Sequence, residues 1–218
     1  MNEEVALSRY TTLGTGGAAR WFDSPESVEK LGARLAWAQS EGLPVAVVGL
    51  GSNLLVADDG FPGLVVKLAG ELARADAADG LLVAGGGASL AVCLHRARAA
   101  ELGGLEFACA IPGTVGGGVW MNAGAYGGDI ASVLRRALVV DAGGAAWRTP
   151  AELGLRYRSS GLRHGQVVAA AEHDVGPRPA AGHVRPGLPP AERRRCRRPA
   201  DRGSRWCHRP RARRRARL

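Results

Sequence analysis

Three glycine-rich stretches and one arginine-bearing cluster hold most of the residue types through which this chain can do chemistry. The longest stretch, Ile111-Pro-Gly-Thr-Val-Gly-Gly-Gly-Val-Trp-Met-Asn-Ala-Gly-Ala-Tyr-Gly-Gly128, sets seven glycines, one proline and one asparagine into eighteen positions. Glycine reaches backbone conformations closed to other residues and lets a ligand lie against the main chain. The segment predicts neither a good helix nor a plain strand. It predicts a backbone cradle whose exposed amides hold the anionic oxygens of a large phosphate-bearing cofactor. The competing reading is a set of tight turns in a β-rich core.

Gly49-Leu-Gly-Ser-Asn-Leu-Leu55 is the second candidate phosphate loop. It lacks the Lys-Ser/Thr pair of a Walker A loop, and Leu54 stands where a dinucleotide fingerprint has its third glycine. Backbone amides with Ser52 and Asn53 can still hold a pyrophosphate, and an ordinary turn fits as well. Gly85-Gly-Gly87 reads as a strand-to-helix turn capped by Ser89, and Gly14-Thr-Gly-Gly-Ala-Ala19 matches G-x-G-x-x-A with no clear strand before it. In Tyr157-Arg158-Ser159-Ser160, an arginine fixed near a developing negative charge is how enolates and carboxylates are stabilised. A solvated loop is the alternative. His95, His164 and His173 have no partner at metal spacing, and Cys93, Cys109, Cys196 and Cys207 form no C-x-x-C pair. No metal site and no catalytic histidine is expected.

The elements that must position these residues read as mixed α and β. Ser24-Pro25-Glu26 is a helix start with serine as cap and proline in the first turn. Val28, Leu31, Leu35 and Ala38 then recur at helical spacing up to Gly42-Leu-Pro44. Short strands follow at Val45–Val48, Leu64–Leu68 and Leu81–Ala84, then a helix over about Ser89–Glu101. Leu138–Trp147 reads as a hairpin turning at Ala142–Gly144. Thr149-Pro-Ala-Glu152 resembles a capping box, and Gln166–Val175 is the last strand.

The chain has 218 residues, is 46% hydrophobic and contains no apolar run long enough to span a membrane. Met1-Asn-Glu-Glu has neither the basic start nor the apolar stretch of a secretory signal, so the cytoplasm is expected. The net charge of +9 is uneven. From Gly176 onward there are 15 Arg and no Lys against Glu192 and Asp201, so residues 1–175 are net −4. The segment 176–218 also carries seven of the twelve prolines and almost no large aliphatic residues, which predicts disorder. Its arginine runs can serve as a phosphate-binding arm. All-arginine basicity with Pro, Ala, Gly, Trp and Cys is also what GC-rich DNA encodes in a wrong frame, and that reading is favoured over nucleic-acid binding.

In order, Thr11-Thr-Leu-Gly-Thr-Gly-Gly17, the Gly49–Leu55 loop, the 111–127 block and Tyr157-Arg-Ser-Ser160 resemble the UDP-N-acetylenolpyruvoylglucosamine reductase family over residues 5 to 175. The resemblance implies an α+β fold of the vanillyl-alcohol-oxidase (PCMH) type, with FAD clasped by two subdomains, residues 1–75 and 76–175. It implies NADPH as co-substrate and a UDP-sugar enolpyruvyl ether as substrate, in peptidoglycan synthesis. By position, Gly49, Gly51, Ser52, Asn53 and Leu54 hold the pyrophosphate side. Pro112, Gly113, Thr114, Gly116, Gly117, Asn122, Gly124 and Ala125 line the rest of the flavin site. Arg158 matches the active-site arginine that polarises the substrate carboxylate, with Tyr157 beside it. The family's serine general acid, its late glutamate and its third domain have no counterpart after Val175, and Ser204 sits in arginine-rich sequence. Flavin binding with little turnover is therefore expected of the chain as written. A non-catalytic flavin module with a nucleic-acid-binding tail is the rival. A flavin oxidase is disfavoured, because the histidine that commonly anchors its flavin is missing from Gly49–Leu55.

Overall fold

Strand patterning divides the chain between two sheets, seen in a computed structural model that describes residues Met1–Pro177. The first sheet contains β1 (Asn2–Ala6), β2 (Ala18–Asp23), β3 (Val45–Val47) and β4 (Phe61–Val66), in the order β1-β2-β4-β3. β1 and β2 run antiparallel, and β2, β4 and β3 run parallel, with Leu64 opposite both Trp21 and Val45. β4 is apolar on both sides because both its faces are covered. Val65 packs with Leu7, Phe22 and Val48, while Leu64 and Val66 pack with Ala38.

Between β2 and β3 runs α1 (Val28–Ser40). Its cap is Ser27, whose Oγ accepts from the Lys30 N–H, and not the expected Ser24. The reason is tertiary. The Pro25 carbonyl accepts from the Ala69 N–H, which holds Pro25 and Glu26 beside the chain leaving β4. The periodic apolar face of α1 is fully used. Ala38 meets the first sheet, while Leu31 and Leu35 pack on Val140, Val167 and Ala169 of the second. Each buried leucine contributes about 1.5–3 kcal/mol, so Leu35→Asp would pull this helix off the second sheet.

Beyond Val66 the chain changes sheets. β5 (Ala75–Ala78) and β6 (Leu81–Gly85) precede α2 (Leu90–Ala99), whose Ser89 cap accepts from the Val92 N–H as expected. A two-residue strand, β7 (Leu102–Gly103), leads to α3 (Val115–Trp120), followed by the hairpin β8 (Gly124–Ala125) and β9 (Gly128–Asp129). β10 (Leu134–Asp141) and β11 (Gly144–Arg148) form the expected hairpin, and β12 (Val167–Asp174) the expected last strand. The antiparallel order is β11-β10-β12-β6-β5. α2 and α3 bury Leu90, Cys93, Val115 and Val119 against the face opposite α1. β13 (Gly176–Pro177) pairs with β7. The rest of the arginine-rich segment, with its expected disorder, lies outside the described residues.

A second expectation fails. The glycine block holds a helix, α3, in spite of three consecutive glycines. Thr114 caps it, its Oγ1 accepting from the Gly117 N–H. A Cβ on Gly116 would lie 3.0 Å from the Gly86 carbonyl oxygen and 3.2 Å from that of Val168. Glycine here lets a helix press against strand backbone, and that packing overrides the propensity cost of about 1 kcal/mol per glycine.

Candidate functional site

The loop after β3 and the segment entering α3 meet. The Ser52 hydroxyl donates to the Pro112 carbonyl at 2.7 Å across sixty residues of sequence. A Cβ on Gly49 would stand 2.8 Å from Thr114 Oγ1, so glycine is required for this approach. Between these loops and β12 lies a cavity of about 810 Å³, within the range of cofactor sites. Gly49, Gly51, Ser52, Asn53 and Leu54 form one wall, and Pro112, Gly113, Thr114, Gly116 and Gly117 a second. Arg158, His164, Gln166 and Val168 close the far side.

The two glycine loops offer this cavity different chemistry. Among the described residues, no backbone or side-chain acceptor takes the N–H of any residue from Gly49 through Leu54. Six successive unsatisfied donors are a ready anion site. The loop is braced from behind. Gly51 has φ +68°, its carbonyl accepts from the Thr12 N–H at 3.0 Å, and a Cβ on it would strike the Tyr10 carbonyl oxygen. Lys67 Nζ donates to the Gly49 carbonyl at 2.9 Å, and no carboxylate among the described residues pairs with it. An uncompensated ammonium therefore sits behind the donor row.

In the second loop the amides of Val115–Gly118 are consumed, while those of Gly113 and Thr114 have no acceptor among the described residues. The Val115 N–H donates to the Ala88 carbonyl, Gly116 to Gly86, Gly117 to Thr114 Oγ1 and Gly118 to the Thr114 carbonyl. This loop therefore supplies mainly surface, with the Gly113 and Thr114 N–H groups as its remaining donors. Gly113 has an ordinary φ, and a Cβ there would meet no protein atom within 4 Å. Neither backbone strain nor packing explains the missing side chain, and the space it leaves open belongs to the cavity wall.

Four other expected site residues do not line the cavity. Asn122 is buried behind it, with its side chain bonded to Asp129, Ala131 and Arg156. Gly124 and Ala125 form β8, where a Cβ on Gly124 would lie 2.7 Å from the Gly128 carbonyl oxygen. Tyr157 is 89% exposed to solvent. The wall instead gains Gly86, Gly87, Trp120, Met121 and His164. Gly86 and Gly87 belong to the stretch that the sequence shows as a strand-to-helix turn. His164 meets Trp120 at 6.4 Å between ring centroids, a long-range contact with no local signal in sequence.

The fit to FAD rests on this division. Free amides beside a cation suit a diphosphate, and Gly113, Gly116 and Gly117 on the wall let a ring approach the main chain. A family model described as an FAD binding domain matches residues 20–150. UDP-N-acetylenolpyruvoylglucosamine reductase 2 of Symbiobacterium thermophilum is 47% identical over 176 residues, covering 80% of this chain and 56% of that protein. The corresponding reductase of Staphylococcus epidermidis is 40% identical, covering 74% of this chain and 53% of its own length. The chain thus spans just over half the length of the curated relatives it matches. The crystal structure of the Thermus caldophilus reductase superposes with a TM-score of 0.71 at 38% identity, over 81% of this chain and 63% of that one. A solvent-stable cholesterol oxidase shares the fold alone, with a TM-score of 0.56 at 20% identity.

Proposed function

The chain belongs to the FAD binding domain family, and on that premise we propose that it is the flavin-holding portion of a reductase that converts UDP-N-acetylenolpyruvoylglucosamine to UDP-N-acetylmuramate in peptidoglycan synthesis. Residues 1–75 and 76–175 are the two subdomains that clasp the flavin, and NADPH is the reductant. The observation that carries the reading is the Ser52–Pro112 contact, which closes a donor loop and a close-approach loop over one cavity. Support for the substrate comes from the 47% and 40% identical relatives.

When bound, FAD supplies the hydride that reduces the enolpyruvyl double bond. The chain's own residues bind and orient. The amides of residues 49–54 and the Lys67 charge hold the diphosphate, and Gly113, Gly116 and Gly117 let the ring lie on the main chain. Arg158 lines the cavity wall, where its guanidinium stabilises the negative charge that grows on the substrate carboxylate. Ser52 is the only serine on that wall among the described residues, and its hydroxyl is committed to Pro112. The serine general acid that the family resemblance implies is therefore not Ser52.

Titration of the purified chain with FAD, followed by flavin fluorescence, tests the reading. Saturable one-to-one binding with a red-shifted or quenched spectrum is expected. A chain that binds no flavin at any concentration up to about a millimolar, weaker than about 4 kcal/mol of binding energy, would refute it.

A further inference from the structure

Asn122 follows α3 at a position where the backbone turns into the left-handed region, with φ +39°. Glycine meets that demand at the lowest cost, yet an asparagine stands here and is only 4% exposed. Its side chain spends three of its four hydrogen-bonding capacities within the fold. Oδ1 accepts from the Ala131 N–H at 2.9 Å, and Nδ2 donates to Asp129 Oδ2 at 3.1 Å and to the Arg156 carbonyl at 3.0 Å.

The last bond reaches across 34 residues to a tight turn. Arg156 and Ser159 close it with reciprocal backbone bonds of 2.9 and 3.2 Å. Arg158, its third residue, has φ +54° and lines the cavity. A non-glycine residue in that region costs about 1–2 kcal/mol, so the turn needs an external hold to keep this geometry. Among the described residues, the Asn122 carboxamide makes the only side-chain hydrogen bond to residues 156–160. Asp129 fixes the carboxamide in turn, and itself caps the helical turn Ile130–Ser132 through the Ser132 N–H.

We propose that Asn122 is the positioning residue for Arg158, tying the arginine turn to the end of α3 so that the guanidinium stays at the cavity wall. The inference rests on the reading of Arg158 given above. The Asn122 side chain does not line the cavity, and it acts only through the turn.

Asn122→Gly separates this role from backbone comfort, because glycine keeps the left-handed turn and removes only the side chain. Asn122→Asp is the second variant. It keeps the shape and the Ala131 bond but loses both donated bonds. Each is compared with wild type, Arg158→Ala and the double variants in the FAD-loaded full chain, with UDP-N-acetylenolpyruvoylglucosamine added and the change in flavin visible absorption followed. Asn122→Gly leaves the buried partners of the carboxamide unpaired and lowers the melting temperature, but FAD affinity measured well below that transition stays near wild type while the apparent Kd for the UDP-sugar rises about tenfold. Arg158→Ala raises Kd at least as much, and adding either Asn122 variant to it changes nothing further. Full additivity of the two sites, or a wild-type Kd in both Asn122 variants while Arg158→Ala is impaired, overturns the positioning role and leaves the functional reading standing. A wild-type Kd in Arg158→Ala, or no spectral response in the wild type, overturns both.

Discussion

Gly49–Leu54 and Thr114–Gly118 are both rich in glycine and border one cavity, yet their main chains are used in opposite ways. The first leaves six N–H groups without acceptors and is braced from outside by Thr12 and Lys67. The second satisfies the N–H groups of Val115–Gly118 within the fold, leaving only that of Thr114 without an acceptor, and uses glycine to bring a helix against Gly86 and Val168. Glycine content alone therefore does not mark a phosphate cradle. What separates the two is where each N–H points, and a residue count carries no such information.

The contrast can be broken most forcefully on the packing side. A Cβ on Gly86 would sit 1.8 Å from the Val168 carbonyl oxygen, so Gly86→Ala must separate β6 from β12. We expect a loss of about 3 kcal/mol or more in urea unfolding. An equally stable variant would show that the close approach is not needed.

Acid attacks the same strand. His173 on β12 is 1% exposed, and neither ring nitrogen has a hydrogen-bond partner. Burial pushes its pKa down from 6.5 to about 4, against a weaker opposing influence of the Leu82 backbone and Asp174. The unfolded chain then binds more protons between these values, so stability is intact above pH 6.5 and lost as pH falls toward 4. The loss is about 3 kcal/mol from this residue, and His173→Leu should flatten that part of the stability profile. An unchanged acid limb in the variant would assign the transition to other groups.

Two further variants sharpen the ligand side. Lys67→Met removes the cation behind the donor loop and should weaken FAD by about tenfold while leaving riboflavin, which lacks the diphosphate, unaffected. Equal losses for both ligands would make Lys67 a merely structural brace. Gly113→Ala places a methyl in open cavity space, so FAD should weaken several-fold with no change in melting temperature; a lowered melting temperature with intact affinity would reverse that assignment. The smallest effect belongs to Thr114→Ala, which removes the α3 cap and should cost about 1 kcal/mol in unfolding.

Much of the frame was legible in the sequence, for reasons that are local. The apolar period of Leu31, Leu35 and Ala38, the Ser89 cap and the hairpin at Ala142–Gly144 all depend on neighbours along the chain. Misreadings arose where a distant partner decides. Ser27 replaced Ser24 as a cap because Ala69 holds Pro25. α3 formed through glycines because Gly86 and Val168 leave room for nothing larger. Asn122 was read with the cofactor loop, but its partners Asp129, Ala131 and Arg156 turn it toward the interior. Lys67 carried no signal at all, since nothing local relates it to a carbonyl eighteen residues earlier.

Residue-resolved amide hydrogen exchange with and without saturating FAD tests the division of labour between the loops most directly. The N–H groups of Gly49–Leu54 should exchange rapidly in the free chain and become protected when FAD binds, while those of Val115–Gly118 should be protected in both states. Fast exchange persisting at Gly49–Leu54 in the FAD-saturated protein would contradict the account.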